Sequence, residues 1–149
     1  MKKLLVLLLL ICLNYVFLST SIWIWAPDLF IVFSLFLSTM RFKLPNVYIF
    51  ISYGFIIDLF FSSQSLPYMI TFFLIGLYLN LTKIKWIQRT LFEQSFMIFL
   101  ISLFLNLLLN FTNDYYLNIS LRIIVNPILN TLIWIGIFMT QRHKWLKNI

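Results

Sequence analysis

Leu91 to Thr112 reads LFEQSFMIFLISLFLNLLLNFT, a run whose single charge, Glu93, stands in its first turn. At 1.5 Å per residue a helix of this length reaches about 33 Å, enough to cross a hydrocarbon core of about 30 Å. Leu4 to Trp25 and Ile119 to Thr140 meet the same length requirement. Three shorter apolar runs lie between them: Leu29 to Met40, Asn46 to Phe61 and Tyr68 to Leu81. Each falls below the roughly 17 residues of a minimal span, so each must borrow flanking residues, thin the bilayer or sit shielded among the other helices.

The remainder of the chain agrees with a membrane solvent. Of its 149 residues, 62% are hydrophobic and 10% charged, against about 25% charged in soluble domains. A soluble fold has no means of hiding so much apolar surface. The net charge of +7 would suit nucleic acid, but the basic residues punctuate apolar runs in small clusters, as membrane loops do. With the N-terminus inside and the six runs alternating, Lys2, Lys3, Arg41, Lys43, Lys83, Lys85, Arg89, Arg142, Lys144 and Lys147 all fall on the cytoplasmic side. Arg122 alone lies towards the outside. Making Leu29 to Phe61 a non-crossing hairpin would bury Arg41 and Lys43, at about 2.5–3.5 kcal/mol each. The expected architecture is therefore all-α: one polytopic domain of six transmembrane helices with both termini cytoplasmic.

Met1-Lys2-Lys3 and the apolar run after it resemble a signal peptide, but the apolar character continues through Ile22-Trp23-Ile24-Trp25 and no Ala-x-Ala occurs. A retained first helix follows. Trp23 and Trp25 are expected at the outer interface, and Trp86 and Trp145 at the inner one, where indoles collect. Ala occurs once, as Ala26, while Phe, Ile, Leu and Asn abound. A bias towards A+T-rich codons colours such a composition, so abundance of Phe or Asn carries little functional weight.

Polar residues inside apolar runs are the candidate sites. Asp58 follows Gly54 by four residues, so both share a helix face on which the absent side chain admits another helix. Its carboxylate is either hydrated at the interface or paired. Asp28, after Pro27, is placed to cap the second helix. Ser102, Asn106 and Asn110 form a stripe on the fifth helix, and Asn126 and Asn130 on the sixth. These stripes serve as glue between helices or line a solute path, and glue is the better fit to a codon-biased chain. Pro127 should kink the sixth helix or mark its first turn. Arg122 needs a carboxylate: Asp58 is the first choice, with Asp28 and Asp114 competing at the same level.

Catalysis needs a nucleophile with a base, paired acids or a metal cluster. One His (His143, in a basic tail), one Cys (Cys12) and four acids supply none of the usual patterns. The expectation is a protein without catalytic residues, metal or cofactor.

Pro27-Asp28-Leu29 opening a helix, then Gly54-Phe55-Ile56-Ile57-Asp58-Leu59 with a polar turn and Leu66 after it, resembles the rod shape-determining MreD family. That family has a Pro-Asp/Asn start to its second helix and a Gly-x-x-x-Asp-Leu signature ending its third. Arg122 to Phe138, with Asn130 and an apolar run ending at Arg142, is similar to its last helix. Pro67-Tyr68 departs from the Leu-Gly of many relatives. The resemblance implies a non-catalytic inner-membrane subunit of the complex that guides peptidoglycan synthesis along the side wall. Its implied partners are MreC, MreB, RodA and the RodA-associated transpeptidase, besides membrane lipid and with no nucleic acid. Asp28, Gly54, Asp58 and Asn130 carry over as structural or interfacial residues. The alternative is the substrate-binding S component of an energy-coupling-factor vitamin transporter, also a small six-helix protein. Such subunits dock through Ala-x-x-x-Ala faces, which a chain with one alanine lacks.

Overall fold

In a computed structural model the described residues, 2–39, 47–61, 65–82, 86–112 and 119–146, form helices and no strands. The helices are α1 (Lys2–Ser19), α2 (Leu29–Thr39), α3 (Val47–Phe61), α4 (Pro67–Leu81), α5 (Leu91–Thr112) and α6 (Ile119–Leu146). Arg41, Lys43, Lys83, Lys85, Asp114 and Lys147 lie outside the described residues, as do the side chains of Lys2, Lys3, His143, Lys144 and Trp145. The all-helical expectation holds. By length and composition, α5 and the Leu121–Arg142 part of α6 are long and apolar enough to cross a membrane.

The helix boundaries follow local chemistry. Thr90 opens α5 with a capping box: its N–H donates to Glu93 Oε2 at 2.9 Å, and the Glu93 N–H returns a bond to Thr90 Oγ1 at 3.3 Å. Asp28 caps α2, accepting the Phe30 N–H on Oδ1 at 3.1 Å. Helix α1 stops at Ser19, short of the Trp25 expected from hydropathy. Ser19 Oγ donates to the Val16 carbonyl and Thr20 Oγ1 to the Phe17 carbonyl, at 2.8 and 3.1 Å. These hydroxyls satisfy last-turn carbonyls, so the chain leaves the helix there and continues as a 3-10 turn, Ser21–Ile24.

Helices α3 and α4 form one antiparallel pair and α5 and α6 another. Between α3 and α4 the approach is set by a glycine on each. A Cβ on Gly54 would lie 2.6 Å from Met69 Cα, and one on Gly76 3.2 Å from Val47 Cα. The core between the pairs is built from α2 and the inner faces of its neighbours, with Phe30, Ile31, Leu35, Ile57, Phe72, Leu79, Ile98, Leu105 and Trp134 all buried. Large apolar side chains also stand exposed along the helices: Leu9, Leu59, Phe92, Phe111, Ile124 and Met139 are examples.

Candidate functional site

Helix α6 carries Arg122, Asn126 and Asn130 at four-residue spacing, all fully buried. On one side they grip the backbone that joins α1 to α2. An Arg122 Nη1–H donates to the Trp23 carbonyl, Asn126 Nδ2 donates to the Ala26 carbonyl at 2.9 Å, and the Asp28 N–H donates to Asn130 Oδ1 at 2.7 Å. Three rungs of a helix thus hold a stretch of irregular chain. The Trp23 carbonyl also accepts the Ala26 N–H at 3.4 Å, while for the Ala26 carbonyl and the Asp28 N–H the asparagine amides supply the partners that a site shielded from water does not.

The other edges of the same three side chains face α5. Arg122 Nε donates to Asn106 Oδ1 at 3.0 Å, Asn106 Nδ2 to Asn126 Oδ1 at 2.9 Å, and Asn130 Nδ2 to Ser102 Oγ at 2.9 Å. The polar stripes expected on α5 and α6 are therefore brought together as interhelical glue. Asn110 is the exception, standing exposed while Leu109 takes the buried position. Four residues overshoot a 3.6-residue turn by about 40°, so a strict i, i+4 stripe rotates out of the seam.

Asp28 and Asp58 extend the network across the bundle. Asp28, besides its cap, accepts the Tyr68 hydroxyl on Oδ2 at 2.9 Å. Asp58, at the end of α3, accepts the backbone N–H groups of Tyr68 and Met69 at 3.1 and 2.7 Å. It therefore caps α4 from a different helix, where the residue before Pro67 is Leu66 and offers no capping side chain. Gly54 lies one turn below, and its bare Cα lets the first turn of α4 settle onto the carboxylate. Of the two readings left open for Asp58, hydrated or paired, its full burial removes the hydrated one.

Arg122 was expected to seek an acid, with Asp58 first. Among the described hydrogen bonds, Asp58 accepts from the first turn of α4, and Arg122 donates to Asn106 and Trp23. The guanidinium attracts Asp28 through its Coulomb field, and Tyr68 lies in the fields of Asp28, Arg122 and Asp58 together. Arg122 also stacks on Trp23, its Cζ 3.9 Å from the ring centroid. Trp23 is consequently buried, while Trp25 is exposed. Pro127 lies inside α6, between Asn126 and the Thr131 hydroxyl that donates to its carbonyl.

Gln94 and Trp134 were not singled out from sequence, and Tyr68 and Trp23, both named there, were not expected as partners of Asp28 and Arg122. Gln94 Oε1 accepts the Trp134 indole N–H at 2.8 Å, and its Nε2 donates to the Trp86 carbonyl at 2.8 Å. Gln94 precedes Ser102 by eight residues on the same apolar helix, and that spacing was the available signal. Trp86, expected at the inner interface, is buried edge-on against Trp134. Among the described residues no three His, Cys, Asp or Glu side chains gather as a metal site would require. Comparison of the chain with protein-family models, with curated proteins and with solved structures yields no match in any of the three.

Proposed function

We propose that this chain is a multi-pass membrane scaffold that crosses the bilayer six times with both termini in the cytoplasm, and that it serves side-wall peptidoglycan synthesis as an MreD-like, non-catalytic subunit. One observation carries the reading. The residues on which the resemblance rests, Asp28, Gly54, Asp58 and Asn130, meet at one buried network. They join α2, α3, α4 and α6 to one another and present no open chemical group, as residues of a scaffold would.

The six crossings draw support from burial. Helix α2, the shortest, has Phe30, Ile31, Val32, Leu35 and Leu37 buried, and Ser34 and Ser38 with them. A helix shielded on so many sides can be shorter than the bilayer. The exposed Leu, Ile and Phe side chains of the longer helices suit acyl chains, whereas soluble monomers rarely present large contiguous apolar patches. The vitamin-transporter alternative asks for polar side chains turned towards a solute. Here Ser102, Asn106, Asn126 and Asn130 hydrogen-bond one another and the α1–α2 connection.

Purification of a tagged chain in mild detergent from its native cells tests the proposal. MreC, RodA and the transpeptidase should accompany it, and cells depleted of it should lose their rod shape. Depleted cells that keep normal rods, with none of these proteins in the purified complex, would remove the elongation role.

A further inference from the structure

At the other end of the bundle, the turn between α4 and α5 holds a cation whose hydrogen-bond acceptors are neutral. Arg89 Nη1 donates to the Tyr78 hydroxyl at 2.5 Å and Nη2 to Thr82 Oγ1 at 2.8 Å. Its Cζ lies 4.7 Å from the centroid of the Tyr78 ring and 5.9 Å from that of Trp86. Arg89 Nε is buried without a hydrogen-bond partner, and so is the indole Nε1 of Trp86, a residue 3% exposed. Ser95 Oγ, in the second turn of α5, is the remaining buried side-chain atom of this kind among the described residues. The acid nearest in sequence, Glu93, uses Oε2 on the Thr90 N–H. Gln94 Nε2 donates to the carbonyls of both Trp86 and Arg89, which holds the turn in place.

We propose that this turn binds the phosphate of an anionic phospholipid headgroup, with the Arg89 guanidinium and the Trp86 indole N–H as donors. The inference rests on the membrane reading above, which puts the turn at the cytoplasmic face. A guanidinium offers a phosphate paired hydrogen bonds that a compact ammonium cannot, and the hydroxyl contacts of Arg89 already fix its plane. A buried donor without an acceptor is unfavourable, so a ligand oxygen that reaches Nε or the indole N–H removes that penalty. Indoles favour the headgroup level, and basic cytoplasmic segments attract anionic lipid; Lys83 and Lys85 stand just before Trp86 in the chain. The two partnerless donors are shielded from water. Acyl chains hold a lipid headgroup at the level of this turn, which favours a lipid phosphate over free, hydrated phosphate.

The test is thermal unfolding of the full chain in detergent, followed by tryptophan fluorescence, against added dioleoylphosphatidylglycerol, dioleoylphosphatidylcholine or inorganic phosphate. The anionic dioleoylphosphatidylglycerol should raise the melting temperature saturably and the other two should not. Arg89→Gln should weaken the half-saturation point by about tenfold, the factor expected for one lost charge-assisted bond. Trp86→Phe keeps an aromatic ring and removes the N–H, so it should weaken binding even if Arg89→Gln fails to fold. Arg142→Gln removes an exposed cation that stacks on Phe138, and should leave the titration unchanged. An equal loss with Arg142→Gln would reduce the effect to bulk charge, and a shift with inorganic phosphate alone would make this a free-anion site. A lipid shift untouched by both Arg89→Gln and Trp86→Phe also overturns the proposal. Extraction of native membranes with alkaline carbonate tests the underlying reading separately, because a chain released by carbonate does not span the bilayer whatever the lipid titration shows.

Discussion

At Gly54 a hydrogen atom occupies the place of a Cβ that would lie 2.6 Å from Met69 Cα and 2.7 Å from the Tyr68 carbonyl oxygen. Both are backbone atoms and neither can rotate aside, so Gly54→Ala must push the first turn of α4 off the Asp58 carboxylate. Overpacking of this kind costs about 1–3 kcal/mol, and the variant should melt lower and accumulate less. Gly136 meets nothing within 4 Å, so Gly136→Ala should stabilise α6 by about 0.5–1 kcal/mol. The opposite order of melting temperatures would refute the close approach of α4 to α3. Asp58→Asn keeps one acceptor for two N–H donors and should lose about 1–3 kcal/mol. The exchange of Asp58→Arg with Arg122→Asp should not recover stability, since an arginine has no acceptor for the Tyr68 and Met69 N–H groups. Recovery in the double variant would show that a direct ion pair dominates instead.

Among the elements, the α5–α6 seam depends on amide side chains that bond in both directions. Asn106→Ala and Asn126→Ala remove opposite ends of one 2.9 Å bond, and a double-mutant cycle isolates it. The coupling should be about 0.6 kcal/mol, the mean for interhelical bonds in membranes, and no more than about 1.7. A coupling near zero would mean that the stripe merely coexists with the packing. The Tyr68 hydroxyl is the side-chain bond from α4 to Asp28. Tyr68→Phe leaves the ring against Phe30, 5.8 Å away by centroid, and deprives a buried carboxylate of one donor. Amide hydrogen exchange in α4 should then accelerate while that in α5 stays unchanged.

For the whole molecule, the distribution of basic residues makes a prediction that helix lengths do not. Reporters active only in the cytoplasm should work when fused at Lys43, Lys85 and the C-terminus and fail at Ser63 and Asn113, positions outside the described residues. An external reading at Lys43 would remove a crossing and make α2 a buried, non-spanning helix. Thermal-shift screening against vitamins and nucleobases should give no saturable response. A ligand at about 100 times its dissociation constant would add about 2.7 kcal/mol, so a tight transporter-type site would not escape detection.

Helix content, the cap at Asp28, the shared face of Gly54 and Asp58, and the polar stripes of α5 and α6 were all legible in the sequence. Each depends on spacing within one element: a run of apolar residues, a residue before a helix, or an interval of four. The early end of α1 was less visible, because a window of hydropathy averages over Ser19 and Thr20 and misses the competition of their hydroxyls for backbone carbonyls. The destinations of the polar groups were a tertiary matter. Asp58 could be recognised as a costly charge, but capping α4 depends on a neighbouring helix whose own flank, Leu66, has no cap. Arg122 could be recognised as the odd cation, yet its carbonyl and ring come from Trp23, 99 residues away. A buried polar group accepts whichever partner the packed helices bring within about 3 Å. Composition announces that a partner is required, and only the packing of α6 against the α1–α2 connection determines which one it is.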